Sequence, residues 1–154
     1  MPVEVGSKAP DFTLPNQDRE PVTLSAQRGK HVVLAFFPAA FTGVCTKELC
    51  TFRDSLAQLN EANATVFGIS ADTPFALKEF ANQQRLNFPL LSDFNRTAID
   101  AYEVANPDMG GLKGISKRAV FVVDSGGVVR HKEITANPGV EPDYAKVHAA
   151  IAAL

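Results

Sequence analysis

Short apolar runs alternate along the chain with amphipathic stretches, the pattern of an α/β domain. Val32-Val33-Leu34-Ala35-Phe36-Phe37 is a near-continuous apolar run closed by Pro38. A run of this kind reads as a central strand buried on both faces. A helix is predicted from about Gly43 to Asn60, because Leu49, Phe52, Leu56 and Leu59 recur at helical spacing. Strands follow at Thr65 to Ile69 and Phe88 to Leu91, around a helix from Pro74 to Gln84. Pro74 suits a first-turn position, where its missing N–H costs nothing. Arg96 to Tyr102 reads as a short helix and Glu103 to Lys117 as an irregular loop. Ala119 to Val123 and Val128 to Ile134 read as a hairpin around Ser125-Gly126-Gly127. Tyr144 to Leu154 closes the chain as a helix, with Asp143 as its cap. Ahead of all this, Asp11 to Leu24 reads as short strands broken at Pro15-Asn16-Gln17-Asp18.

Composition narrows the class. A length of 154 residues with 45% apolar side chains suits one compact domain, residues 1–154, with its own core. The net charge of -2 comes from 15 basic and 17 acidic residues without a basic stripe, so no nucleic-acid partner is expected. No apolar run is long enough to span a bilayer, and Met1 to Pro10 lacks the plan of a signal peptide, so a cytoplasmic protein is expected. The histidines His31, His131 and His148 are far apart and read as surface or hydrogen-bonded side chains. They show no metal-ligand spacing, and no metal or cofactor is expected. Two cysteines in a reducing compartment are buried thiols or working ones, not a structural framework.

The chemistry gathers at Pro38-Ala39-Ala40-Phe41-Thr42-Gly43-Val44-Cys45, where the buried strand feeds a loop and then a helix. Ligands collect at such carboxyl ends of strands. With Thr42 as N-cap, Cys45 stands in the first helical turn, facing free backbone N–H groups and the positive end of the helix dipole. Both favour a thiolate over a thiol. In a capping box a carboxylate would stand at this position, so the Thr42 hydroxyl and the Cys45 sulfur are expected to be neighbours. Position alone leaves a buried structural cysteine as an equal alternative.

Pro38-x-x-x-Thr42-x-x-Cys45 resembles the active-site signature of peroxiredoxins. Three further segments resemble the same family in the expected order: Ala9-Pro10-Asp11-Phe12-Thr13-Leu14, Phe88-Pro89-Leu90-Leu91-Ser92-Asp93, and Arg118-Ala119-Val120-Phe121-Val122-Val123-Asp124. The resemblance implies a thioredoxin-like fold, a central mixed β-sheet flanked by helices with an N-terminal β extension. It implies a thiol peroxidase acting on hydrogen peroxide and organic hydroperoxides in antioxidant defence. Cys45 would be the peroxidatic thiolate, and its attack would leave a sulfenic acid. Thr42 would hydrogen-bond the peroxide, Arg118 would hold its permanent charge near the sulfur, and Pro38 would shield the pocket from water. Glu48 falls where relatives are commonly acidic but reads as part of a solvated helix face.

Cys50 lies five residues after Cys45. In an intact helix the two would sit ~140° apart with a rise of about 7.5 Å. A disulfide needs Cα atoms within roughly 4.4–6.8 Å, so the helix must unwind before they can bond. The spacing resembles the bacterioferritin-comigratory (PrxQ) branch, where the second cysteine resolves the sulfenic acid. Ala39-Ala40-Phe41-Thr42-Gly43-Val44 is closer to the alkyl hydroperoxide reductase E branch, where many members work with one cysteine. A resolving Cys50 recycled by thioredoxin, a single-cysteine enzyme resolved by an external thiol, and a peroxide-sensing domain all stay open, as does monomer against homodimer. A thiol–disulfide oxidoreductase would use Cys-x-x-Cys, and no histidine stands in the context of a Cys–His hydrolase. Two features depart from the family. Glu103 replaces the glycine of Tyr-Gly-Val, leaving that loop's geometry open. Gly110-Gly111-Leu112 reads as a flexible loop.

Overall fold

A computed structural model describes residues 3–154; Met1 and Pro2, the start of the segment read as polar, lie outside it. Five strands form the central sheet: β3 (His31–Phe36), β4 (Ala64–Ser70), β5 (Leu90–Ser92), β6 (Ala119–Val123) and β7 (Val129–Ile134), in the order β5-β4-β3-β6-β7. β3 pairs parallel with β4, and β4 with β5, while β6 runs antiparallel to both β3 and β7. The sheet is therefore mixed. The N-terminal extension is a small antiparallel ribbon of β1 (Thr13–Pro15) and β2 (Pro21–Thr23). Among the described residues a short 3-10 helix (Leu24–Gln27) and four α-helices complete the fold: α1 (Gly43–Glu61), α2 (Pro74–Gln84), α3 (Thr97–Ala101) and α4 (Tyr144–Ala152).

The apolar run of β3 is buried on both faces because its side chains alternate between two cores. Val33, Ala35 and Phe37 join Leu49, Phe52 and Leu59 of α1 and Leu77 and Phe80 of α2. Val32, Leu34 and Phe36 join Leu14, Ile99, Tyr102 and Phe121 on the opposite side. Each fully buried Leu or Phe stabilises the fold by about 1.5–3 kcal/mol through removal from water.

Some boundaries differ from expectation by a residue or two, and some local geometry that the pattern left open is now fixed. The strand read at Phe88 to Leu91 starts at Leu90, because Pro89 has no N–H for the ladder and contributes only its carbonyl, to Gly68. The last helix ends at Ala152, two residues early. The hairpin of β6 and β7 carries a bulge at Val122/Val123. Glu103 adopts φ 58, so the chain keeps the left-handed turn that a glycine would make without strain. Asp143 caps α4 as read, accepting from the Lys146 amide.

Candidate active site

β3 gives its last ladder-like bond from the Phe37 amide to the Ile69 carbonyl, at 2.9 Å. Pro38 then ends the strand, and the loop turns through Phe41 at φ 66. A bulky aromatic in that region is an outlier, costing about 1–3 kcal/mol that the surrounding packing must offset. The Phe41 ring lies edge-on to Phe80 of α2, with centroids 5.2 Å apart. Thr42 is extended and occupies the N-cap position of α1, so Cys45 is the third helical residue. The expected capping hydrogen bond is not made. The Thr42 hydroxyl instead donates back to the Ala39 carbonyl at 2.9 Å, and no side chain caps the first turn. The first-turn amides are thus left free to face a ligand.

Arg118 arrives from the other side. Ala119 of β6 is paired with Phe36 of β3, so the residue before β6 stands beside the end of β3. Its Nη2 donates to Cys45 Sγ at 3.2 Å, and its Nη1 to Glu48 Oε2 at 3.1 Å. Nε and Nη2 also donate to the Pro138 carbonyl at 3.0 and 2.9 Å. Cys45, Glu48 and Arg118 are 1%, 0% and 2% exposed. Glu48 is therefore no part of a solvated face. The helical spacing of Cys45, Glu48, Leu49 and Phe52 sets it on the buried stripe, a signal that was available in the sequence. Complete burial pushes its carboxyl up to about 7, against the opposing pull of Arg118. Burial also works against the Arg118 charge, but Glu48 and Cys45 outweigh it and hold the guanidinium above its ordinary range. Glu48 Oε1 has no partner among the described residues.

These groups open on a cavity of about 230 Å³ lined by Pro38, Thr42, Gly43, Val44, Cys45, Met109, Arg118, Pro138 and Gly139. Thr42 and Cys45 both line this cavity, though the Thr42 hydroxyl is turned to the Ala39 carbonyl. Pro38 is buried on it, and Met109 comes from the glycine-containing loop, which closes on itself through a Met109–Leu112 bridge. Apolar walls with a few donors suit a small peroxide group whose oxygens accept hydrogen bonds. Larger cavities lie elsewhere and hold neither cysteine.

Cys50 faces a different environment. Both cysteines are free thiols. Cys50 is half-buried; its Sγ donates to Gln84 Oε1 of α2 at 3.5 Å, and the Arg53 guanidinium lies near enough to interact with it electrostatically. None of the histidines lines the cavity. His31 Nδ1 accepts from the Ser125 amide, whereas His131 is half-buried and its Nε2 has no hydrogen-bond partner among the described residues. Among the described residues no helix is long and apolar enough to cross a membrane.

A mixed five-stranded sheet of this order flanked by helices, with a buried thiol beneath a guanidinium at the head of one of them, is a thioredoxin-like fold. The AhpC/TSA family model matches residues 5–132. The chain is 41% identical over 155 residues to alkyl hydroperoxide reductase E of Mycobacterium tuberculosis, covering 99% of this chain and 98% of that one. It is 43% identical over 129 residues to the chloroplastic peroxiredoxin Q of Triticum aestivum, covering 84% of this chain and 58% of that one. The crystal structure of peroxidoxin BcpB from Mycobacterium tuberculosis superimposes with a TM-score of 0.87 at 34% identity, over 99% of this chain and 98% of the other. The chain belongs to the AhpC/TSA family, the peroxiredoxins, with similarity to both branches that the motifs resemble. It is a peroxidase that reduces hydroperoxides at the expense of a thiol.

Proposed function

We propose that Cys45 is the peroxidatic residue and that Thr42, Pro38 and Arg118 complete its site. The observation that carries this is the 3.2 Å hydrogen bond from Arg118 Nη2 to Cys45 Sγ at the floor of a small cavity. A hydrogen bond from a permanent cation is about twice as strong as a neutral one and fixes the sulfur at the cavity wall. The thiolate attacks the terminal oxygen of ROOH, an S–O bond forms as the O–O bond breaks, and the alkoxide leaves as ROH after taking a proton. The guanidinium and the first-turn amides face the oxygen on which negative charge develops. Thr42 lines the approach, and Pro38 keeps that wall dry.

Cys50 then resolves the sulfenic acid: its sulfur attacks Cys45 Sγ, water leaves, and a disulfide forms. This requires the first turns of α1 to unwind, since both thiols are free and held by different partners in the folded helix. Thioredoxin, or a dithiol reductant like it, restores both thiols by exchange. Cytoplasmic residence, with its reducing thiol pools, fits this cycle. Intact-mass measurement after one equivalent of peroxide tests the second step. Loss of two hydrogens from the reduced mass is expected. A persistent gain of one oxygen would return the resolving role to an external thiol.

A further inference from the structure

The loop that carries Pro38 and Thr42 has little to hold it. Among the described residues, one hydrogen bond ties residues 38–43 to anything outside the loop and α1: the Ala40 amide donates to Asp72 Oδ2 at 2.8 Å. Ala40 is buried, so its amide has no water to replace that acceptor. Asp72 itself is braced. The hydroxyl of Ser70, fully buried at the end of β4, donates to the same Oδ2 at 2.7 Å. The Ser92 hydroxyl donates to the Asp72 carbonyl at 2.6 Å. The next residue, Thr73, caps α2, and α2 supplies the Phe80 ring against Phe41. The carboxylate therefore stands on the rigid ends of β4, β5 and α2 and reaches across to a loop that holds Phe41 in a strained conformation.

We infer that Asp72 is a positioning residue for peroxide reduction: its carboxylate, oriented by Ser70, fixes the loop through the Ala40 amide and so places Thr42 and Pro38 over Cys45. This rests on the reading of Cys45 as the peroxidatic residue. It does not depend on Cys50. Without the tether, the strain at Phe41 is free to relax and the loop rotates away from the cavity. The thiol and Arg118 stay where they are, because Arg118 is held by Glu48 and the Pro138 carbonyl. The defect should then be selective. Reaction with peroxide needs the aligned loop, whereas alkylation by iodoacetamide needs only an accessible thiolate.

The test uses the full chain in a Cys50→Ser background, with stopped-flow oxidation by hydrogen peroxide and alkylation by iodoacetamide measured side by side. Asp72→Ala should slow peroxide oxidation about tenfold, the scale of one charged hydrogen bond, and leave alkylation within about twofold. Asp72→Asn, whose amide oxygen can still accept from Ala40, should stay within about threefold of the parent. Asp72→Ala oxidised at the parent rate, both reactions slowed alike, or Asn and Ala equally slow would each overturn the proposal. If Asp72→Ala does not fold, Ser70→Ala removes only the orienting hydroxyl. It should slow oxidation about threefold, and no slowing would overturn the proposal. A parent that reacts with peroxide no faster than free cysteine would sink the peroxidatic reading of Cys45 instead, so the two failures are told apart.

Discussion

Cys45 and Cys50 sit on one helix, five residues apart, and live in different worlds. Cys45 is 1% exposed, under a guanidinium, at the end of the helix where the amides are free. Cys50 is half-buried, two turns into α1, against the neutral amide of Gln84, with the Arg53 guanidinium nearby but not hydrogen-bonded to it. The thiols are chemically identical, so the difference in their surroundings lies in the direct hydrogen bond from a buried guanidinium and in the cavity, which Cys45 has and Cys50 has not. It also fixes what must move. Cys45 is held by Arg118, which is held in turn by Glu48 and Pro138, whereas Cys50 is held by one long contact. If the two are to bond as proposed, the charged contacts that must break lie on the Cys45 side.

Removing the cation should break this asymmetry most. Arg118→Ala takes away the donor to the sulfur and, in the proposed mechanism, to the oxygen on which charge develops, and a loss of about 10²–10³-fold in the rate of peroxide oxidation is expected. It also leaves Glu48 buried without its counter-ion, at a cost of roughly 3–5 kcal/mol where that carboxyl is ionised. Arg118→Lys should recover little of the rate, since an ammonium cannot serve Cys45, Glu48 and Pro138 at once. Rapid-mixing kinetics on both variants check this. A Lys variant near the wild-type rate would show that charge alone matters and that the forked geometry does not.

Glu48 makes the Cys45 side sensitive to pH in a way the Cys50 side is not. Its carboxyl is raised to about 7 in the folded chain from an ordinary 4.5, chiefly by burial. Between those values the folded state holds a proton that the unfolded state has lost, so stability falls as pH rises from about 4.5 to about 7. The span corresponds to a few kcal/mol, on the order of 3. Glu48→Gln should flatten that part of the profile. Urea unfolding at a series of pH values from 4.5 to 8 measures it, and parallel profiles for the two proteins would show that Glu48 ionises as freely as an exposed carboxylate.

How much of this was visible in the sequence follows from where each signal lies. β3, α1 and the hairpin of β6 and β7 carry their own periodicity, and their bounds were readable to within a residue or two. The thioredoxin-like fold and the family came from four ordered motifs. The approach of Arg118 to Cys45 depends on the antiparallel register of Ala119 with Phe36, a pairing no local pattern encodes. Glu48 lay on the apolar stripe of α1, but a lone carboxylate there is ordinarily a turn toward solvent, and only the facing arginine reverses that. The left-handed Phe41 and the Asp72 tether left no trace, because a bulky aromatic gives no cue to a positive φ and the Asp72–Ala40 bond spans 32 residues. Glu103 is an intermediate case: the departure from Tyr-Gly-Val left the loop's geometry open, and the left-handed φ of 58 came only from the backbone.

The smallest effect is expected on the Cys50 side. At 3.5 Å a thiol donor to an amide oxygen is a weak bond, and Gln84→Ala should change global stability by less than about 0.5 kcal/mol. The backbone platform survives the substitution, since Arg53 donates to the Gln84 carbonyl and not to its side chain. With the amide gone, Cys50 should be alkylated about two- to threefold faster, and the disulfide should form after one equivalent of peroxide no more than about threefold faster. A small change is itself informative, because it places the barrier to resolution in the Cys45 turn, with its charged contacts and tethered loop. A tenfold or greater acceleration by Gln84→Ala would reverse the comparison and make the Cys50 contact the lock on the helix.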